Sequence, residues 1–426
     1  MCVVPRRFPD ALDSDAFTTV MLFSRLNPML YETPSGSWSD LPRDLAGLVL
    51  RRLTAYADRA RFAAVCPQWR AAARQLPLPP PLPLLALPDG TLFSLHYDKP
   101  LRFPGFGCAG YSYKTAACGG WLVFPLEDGC FLVDPFSEAR VMLPALSHVR
   151  LRPPNAVAKY DVDKDRNVKI ANRVTWMHLK EEKGIPTIRK LILCAPNLVA
   201  AFVGNALTSQ ILVCQPGASS WSVRANDRVK KFEDMAFYQG KLYAIANDEN
   251  LLVVNFGQDP ITGDPQISRI GHVIKGDPWY TVVYPDETMG IKKLYLVESH
   301  GALLMVRRKV WCRVEDDTVV AFTGWDEFEV FKADLEHSRW VNVTTLGNDQ
   351  LLFLGRPCSK AVFASQYGVS GDQIFFLDDQ LENDEEYLYD EDRTSVGVYD
   401  MKTSEISFPM PMFWKHELIP ATWLFP

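Results

Sequence analysis

The 426-residue chain contains no apolar run near the roughly 20 residues that a membrane-spanning helix requires. Its most apolar early stretch, Phe17 to Leu30, is interrupted by Ser24, Arg25, Asn27 and Pro28. The opening MCVVPRRFPDALDSD carries arginines but leads into polar and acidic residues, where a secretory signal would have an apolar core. Neither export nor membrane insertion is expected, which places the chain in the nucleus, the cytoplasm or both. Cysteine is sparse: nine residues (Cys2, Cys66, Cys108, Cys118, Cys130, Cys194, Cys214, Cys312 and Cys358), an odd number without regular short spacing. A chain of this size needs no disulfide staples, so reduced thiols are expected.

An excess of basic charge is also missing. With 45 Lys and Arg against 51 Asp and Glu the net charge is -6, which argues against a surface that tracks nucleic acid or an anionic membrane. No nucleic-acid or membrane partner is expected.

Catalytic and metal-binding signatures are lacking as well. The seven histidines are dispersed, with no HExxH and no Cys/His pairs at zinc spacing, and there is no Gly-x-Ser-x-Gly elbow. GFGCAG at 105–110 has the letters of a dinucleotide loop, but YSYKTAACGG follows it and cannot start the helix on which a pyrophosphate would rest. DVDKDRN at 161–167 imitates half a calcium loop, yet Arg166 stands where glycine is required and Asn172 where a bidentate glutamate would be. Asn342-Val343-Thr344 is a glycosylation sequon in letters only, since no secretory route is indicated. No catalytic residue, no cofactor site and no metal site is assigned.

What the chain does have is the composition of a folded protein, 47% hydrophobic and 23% charged. Its length implies two or more domains, or a small module attached to a large repeat structure. Residues 1–36 lack periodicity and close on the turn-rich TPSGS, which reads as a flexible leader. Residues 37–76 are rich in Ala, Leu and Arg at helical spacing and fit three short helices. Pro42 suits a first helical turn, with Ser39 or Asp40 as the cap; Leu45, Val49 and Leu53 recur at i+4 as a stripe, with Leu41 and Leu48 beside it. Asp58 is the expected N-cap of the second helix, which runs through Val65, and Pro67 opens the third, which carries Trp69. The proline run at 77–88 predicts a stiff extended spacer.

From 89 to 426 short runs of β-branched and aromatic residues alternate with Gly, Asp and Asn turns. GGWLVFPLEDGCFLVDPF, GKLYAIANDENLLVVNF and KKLYLVESHGALLMVRR each read as a hairpin with arms of similar length. The phrase recurs at roughly 40 to 50 residues, the period of kelch-like or WD-type blades, which predicts a β-propeller of undetermined blade number. A pair of β-sandwiches would satisfy the same strand statistics, but no second linker separates the repeats. The acidic stretch at 378–393 reads as an exposed loop in a late blade. Trp121, Trp221, Trp311, Trp340 and Trp423 fall in strand contexts suited to packing between blades.

The helical segment, with LPRDLAGLVLRRL followed by ADRARFAAVCPQWRAAAR, resembles an F-box: Leu-Pro, an aliphatic stripe and Val-Cys-x-x-Trp-Arg occur in order. The remainder is similar to the KIB-type propellers of plant F-box proteins, through Gly119-Gly120-Trp121-Leu122, the DPFS turn at 134–137, Leu143-Pro144, VGVYDMKT and PATWLFP. The chain departs from that group in GYSYKTAACGG and in a longer insertion before Ile188. The resemblance implies a multidomain α and all-β protein, a three-helix F-box module followed by a kelch-like β-propeller. It further implies a non-catalytic substrate receptor of an SCF-type ubiquitin ligase, docked on a Skp-family adaptor and through it on cullin and RING subunits. On that pattern Leu41, Pro42, Leu45, Val49, Leu50, Leu53, Val65, Cys66 and Trp69 form the adaptor-binding surface or its support. Seven arginines between Leu41 and Leu76, against only Asp44 and Asp58, give the module a charge suited to an acidic partner. The competing readings are a propeller enzyme, marked by carboxylates or histidines converging in the central channel, and an F-box protein acting outside a ligase.

Overall fold

A computed structural model describes residues 41–78, 80–87, 91–94, 101–102, 116–126, 128–137, 139–152, 159–163, 168–172, 187–204, 209–224, 232–277, 288–315, 318–377, 396–407 and 421–426. The leader at 1–36, residues 38–40, the GFGCAG segment, most of the insertion before Ile188 and the acidic stretch at 378–393 lie outside the described residues.

Three helices form where the Ala/Leu/Arg spacing predicts them: α1 (Arg43–Arg52), α2 (Tyr56–Val65) and α3 (Pro67–Gln75). Pro42 stands one residue ahead of α1, and its carbonyl accepts from the Leu45 and Ala46 amides at 3.0 Å. Asp44 in the first turn and Arg51 and Arg52 in the last complement the helix dipole. Asp58 is not the cap of α2: that helix opens two residues earlier, at Tyr56, and Asp58 lies in its first turn. The cap of α3 is Cys66, whose thiol accepts from the Trp69 amide at 3.4 Å while Pro67 fills the first helical position.

The rest of the chain is a six-bladed propeller, counted over the described residues. Named from the channel outward, blade 1 is Thr422–Leu424, Leu84–Ala86, Thr91–Ser94 and Leu101–Arg102; blade 2 is Ala116–Cys118, Trp121–Leu126, Gly129–Val133 and Arg140–Met142. Blade 3 is Thr187–Ala195, Leu198–Gly204, Ser209–Cys214 and Trp221–Arg224, edged by the parallel strand Val149–Arg152. Blade 4 is Phe232–Tyr238, Lys241–Ala246, Leu251–Gln258 and Pro265–Ile274. Blade 5 is Thr288–Ser299, Ala302–Glu315, Thr318–Asp334 and Arg339–Val343. Blade 6 is Lys360–Phe363, Gln350–Leu354, Gln373–Leu377, Val396–Asp400 and Glu405–Ser407. The three hairpins anticipated from the repeat phrase all form. Asp161 to Asp163, the start of DVDKDRN, lie in the strand Lys159–Asp163, which pairs antiparallel with Val168–Asn172; residues 164–167 lie outside the described residues.

Because neighbouring blades cover both faces of each sheet, central strands are buried along their length instead of on alternate residues; Ser209–Cys214 is buried at every position. The turns are tight for a local reason. Gln239 and Gly240 both have positive φ, 46° and 74°, the backbone of a two-residue hairpin turn whose twist matches the flanking strands. Asp134 closes the DPFS turn by accepting from the Phe136 amide at 2.8 Å and the Ser137 hydroxyl at 2.6 Å.

The ring is closed by the last strand. Leu424, Trp423 and Thr422 pair antiparallel with Leu84, Leu85 and Ala86. This corrects the reading of 77–88 as a spacer, because Leu82 and Leu84 to Leu87 are buried in the core of blade 1. In PLPLLALP the prolines flank a four-residue apolar run without interrupting it, so the run is free to join a ladder. Beyond Trp423 the chain continues against blade 2, where the Phe425 amide donates to the Gly119 carbonyl at 3.0 Å. A Cβ on Gly120 would sit 3.0 Å from the Phe425 carbonyl oxygen, which explains the glycine ahead of Trp121.

Tryptophans join the blades through their indole N–H groups. Trp221 of blade 3 donates to Pro144 after blade 2 at 2.8 Å, Trp340 of blade 5 to Glu249 of blade 4 at 3.0 Å, and Trp423 of blade 1 to Leu354 of blade 6 at 3.0 Å. Each ring fills space between sheets while its one donor meets a carbonyl. Replacing Trp340 by Phe keeps most of the apolar contact and removes the donor, so urea denaturation is expected to show a loss of about 0.5–1.5 kcal/mol. A variant as stable as the parent would show that this bond contributes nothing between blades.

Candidate functional site

Two concave or apolar features stand out, one on the helices and one in the propeller. On α1, Ala46, Gly47 and Leu50 are buried. The opposite face carries Leu45, Leu48 and Val49 at i, i+3 and i+4, exposed by 49%, 59% and 44%, and Val65 at the end of α2 is 55% exposed. Pro42 is exposed as well, whereas Leu41, Leu53, Cys66 and Trp69 are half-buried. The structure therefore divides the nine residues singled out from the sequence: Leu50 fills the core, Cys66 caps a helix, and Trp69 stacks on Phe62 with ring centroids 4.4 Å apart. What remains exposed is an apolar strip that carries an avoidable cost in water, on the order of 1.5–3 kcal/mol per large side chain.

The arginines around it differ in setting. Arg43, Arg51, Arg52, Arg61, Arg70 and Arg74 are exposed. Arg59 is half-buried, donates to the Leu53 carbonyl at 2.7 Å, and has its pKa lowered by burial. Arg61 lies 3.4 Å from Asp58. They belong to all three helices, so no single basic recognition helix is formed.

The second feature is the central channel, a cavity of about 480 Å³ lined by innermost strands of successive blades. Lys190 of blade 3 reaches Asp234 of blade 4 at 2.5 Å, and the Asp234 carboxylate also accepts from the Leu296 amide of blade 5 at 2.8 Å. One buried carboxylate thus ties three blades together at the axis. Burial raises the Asp234 pKa against the pull of Lys190 and the amide donors.

Two bulges near this point re-aim charged side chains. The register slips between Ile188 and Lys190 and between Phe232 and Asp234, which leaves Arg189 and Glu233 as the inserted residues. Glu233 lies 3.7 Å from Arg356 of blade 6. Burial, with Arg356 nearby, lowers the Arg189 pKa to about 10. Burial raises the pKa of the Cys118 and Cys358 thiols, also on the lining, and makes them poor nucleophiles. The lining contains one carboxylate, Glu298, and no histidine among the described residues.

Sequence reasoning did not find Lys190, Asp234, Arg189 or Glu233. The available signal was a charge inside an apolar run, Arg-Lys within TIRKLILC and Glu-Asp within FEDMAFY.

The model of the KIB1-4 beta-propeller matches residues 85–400, and the F-box domain model matches residues 38–80. The chain belongs to the KIB1-4 β-propeller family of F-box proteins. F-box protein SKIP23 of Arabidopsis thaliana is 23% identical over 420 residues, covering 91% of this chain and 95% of that protein. F-box protein At2g26160 of the same plant is 24% identical over 355 residues, covering 80% and 95%. F-box protein At1g10110 is 26% identical over 287 residues, covering 64% and 67%. In this KIB1-4 F-box protein the motifs that carry the likeness have physical tasks in the fold: Gly120 admits the closing segment, Pro144 receives the Trp221 donor, and Trp423 lies on the strand that shuts the ring.

Proposed function

We propose that this protein is the substrate-recognition subunit of an SCF-type ubiquitin ligase, its F-box docking on a Skp-family adaptor that leads to cullin and RING subunits, and its propeller holding a protein substrate. In this reading the chain contributes position, not chemistry. The observation that carries it is the exposure of Leu45, Leu48 and Val49 on a helix whose other face, Ala46, Gly47 and Leu50, is already buried, with Val65 exposed at the end of α2. A helical apolar face of that kind is buried by helix-in-groove recognition, and the exposed arginines complement an acidic partner. Membership of a plant F-box family supports the same assignment.

The test is copurification with a Skp-family adaptor. Leu45→Asp with Val49→Asp removes two central apolar anchors and is expected to weaken binding more than about 100-fold, at about 2 kcal/mol or more for each anchor. Because both positions are exposed, the helical circular dichroism and melting temperature of the variant stay those of the parent. Leu50→Ala supplies the contrast: it loses stability by about 2–5 kcal/mol through a core cavity. Absence of binding by the intact protein, or full binding by the double variant, would overturn the assignment. Ubiquitin transfer in a reconstituted complex then separates a ligase subunit from an F-box protein that works outside one.

A further inference from the structure

We propose that the central channel is a binding site for a small zwitterion with a bulky apolar body, an apolar or aromatic amino acid or a dipeptide of such residues. The cavity, about 480 Å³, is in the range of small-ligand sites, roughly 300–1,000 Å³. Its lining residues include Trp121, Leu193 and Phe237, all at least partly exposed. Leu193 is 37% exposed although its strand neighbour Cys194 is buried, so apolar surface faces the void and is not sealed against another blade.

Two charges of opposite sign stand on the same lining. Lys360 rests with its ammonium 5.3 Å from the Phe425 ring and forms no ion pair among the described residues. Glu298 accepts from the Gly301 amide at 3.1 Å through Oε1 and likewise has no cationic partner there. The contrast with Lys190 is informative, because that lining ammonium is committed to Asp234 at 2.5 Å. An unpaired cation and an unpaired anion beside an apolar void match a ligand with a free carboxylate, a free ammonium and an apolar body between or beside them. A purely apolar ligand would engage neither charge, and a simple anion would meet Glu298 as well as Lys360. Trp121 and Phe237 add aromatic residues to the lining.

The experiment is calorimetric titration of the full chain with L-phenylalanine, L-tryptophan and the dipeptide Phe-Leu at millimolar concentrations. Phenylalaninamide, which lacks the carboxylate, and N-acetylphenylalanine, which lacks the ammonium, serve as paired controls. At least one zwitterion is expected to bind saturably, and about tenfold or more tighter than its blocked forms. Lys360→Gln should abolish the preference over the amide while keeping the preference over the acetylated form; Glu298→Gln should do the reverse. Both residues are exposed, so the variants keep the parent melting temperature. The proposal is overturned if none of the three zwitterions binds saturably, or if neither substitution changes the discrimination. Adaptor binding by the F-box is unaffected by either outcome, so the two assignments are judged separately.

Discussion

Trp423→Ala is expected to be the most damaging single apolar substitution in the propeller, lowering stability in urea by about 3–5 kcal/mol. The indole is fully buried. Its ring meets the Phe353 ring edge-on with centroids 5.0 Å apart, and its Nε1 donates to the Leu354 carbonyl at 3.0 Å. Both partners belong to blade 6, whereas Trp423 pairs with Leu85 of blade 1. The side chain therefore works at the seam where the two ends of the blade series meet. A cavity there cannot collapse by moving one loop, because the neighbours are strands held in two different ladders. Trp423→Phe separates the contributions, since it keeps a ring and loses the donor, at a cost of about 1 kcal/mol beyond the lost packing. Ile261→Ala is the control, for Ile261 is 92% exposed and its truncation leaves the unfolding midpoint unchanged within about 0.5 kcal/mol. If Trp423→Ala unfolded within 1 kcal/mol of the parent, roughly the size of an ordinary substitution, the closing strand would not be holding the ring.

Much of this architecture is legible in the sequence because its determinants are local. The hairpins show because an aliphatic and aromatic run, a turn with Gly or Asp and a second run are contiguous, as in Lys241–Ala246 and Leu251–Gln258. The tryptophans show as packing residues because a large ring with one donor suits the space between two sheets. The helical stripe of Leu45 and Val49 is equally visible, but which way it faces is not. α1 is apolar on two sides, and the face that turns inward is the one built of Ala46, Gly47 and Leu50, small residues that permit close packing. Periodicity gives the angle between residues and not the location of the partner. The proline run misled for a related reason: six prolines suggest a spacer, yet the strand Leu84–Ala86 forms between them once the last strand supplies a ladder from the far end of the chain. The channel was hidden for the strongest reason. Lys190 and Asp234 are 44 residues apart, and each looks like half of a stray charged pair in an apolar strand until closure brings the two strands side by side. The same holds for Lys360 and Glu298, whose significance depends on which charges around the axis are already paired.

A second large effect is expected at Arg308, which lies between blades 5 and 6. Its side chain has no exposure, and that of Asp326 has 1%. Asp326 Oδ2 accepts from Nε at 2.9 Å and from a terminal nitrogen at 2.5 Å, while the other terminal nitrogen donates to the Leu377 carbonyl of blade 6 at 2.8 Å. The guanidinium also lies 4.4 Å from the Phe376 ring centroid. One cation thus satisfies a carboxylate within its own blade and a carbonyl and a ring in the next. Arg308→Met fills most of the volume but takes the guanidinium away from a carboxylate that is 1% exposed, and a loss of about 3–5 kcal/mol is expected. The double variant Arg308→Met with Asp326→Leu removes both charges, and most of that loss should return, because a buried pair offsets its desolvation only narrowly. The coupling between the two substitutions, measured by urea denaturation of all four proteins, is therefore expected to be large, at least about 2–3 kcal/mol. Simple additivity would mean that Asp326 draws its stabilisation from other donors and that the blade contact rests on packing alone.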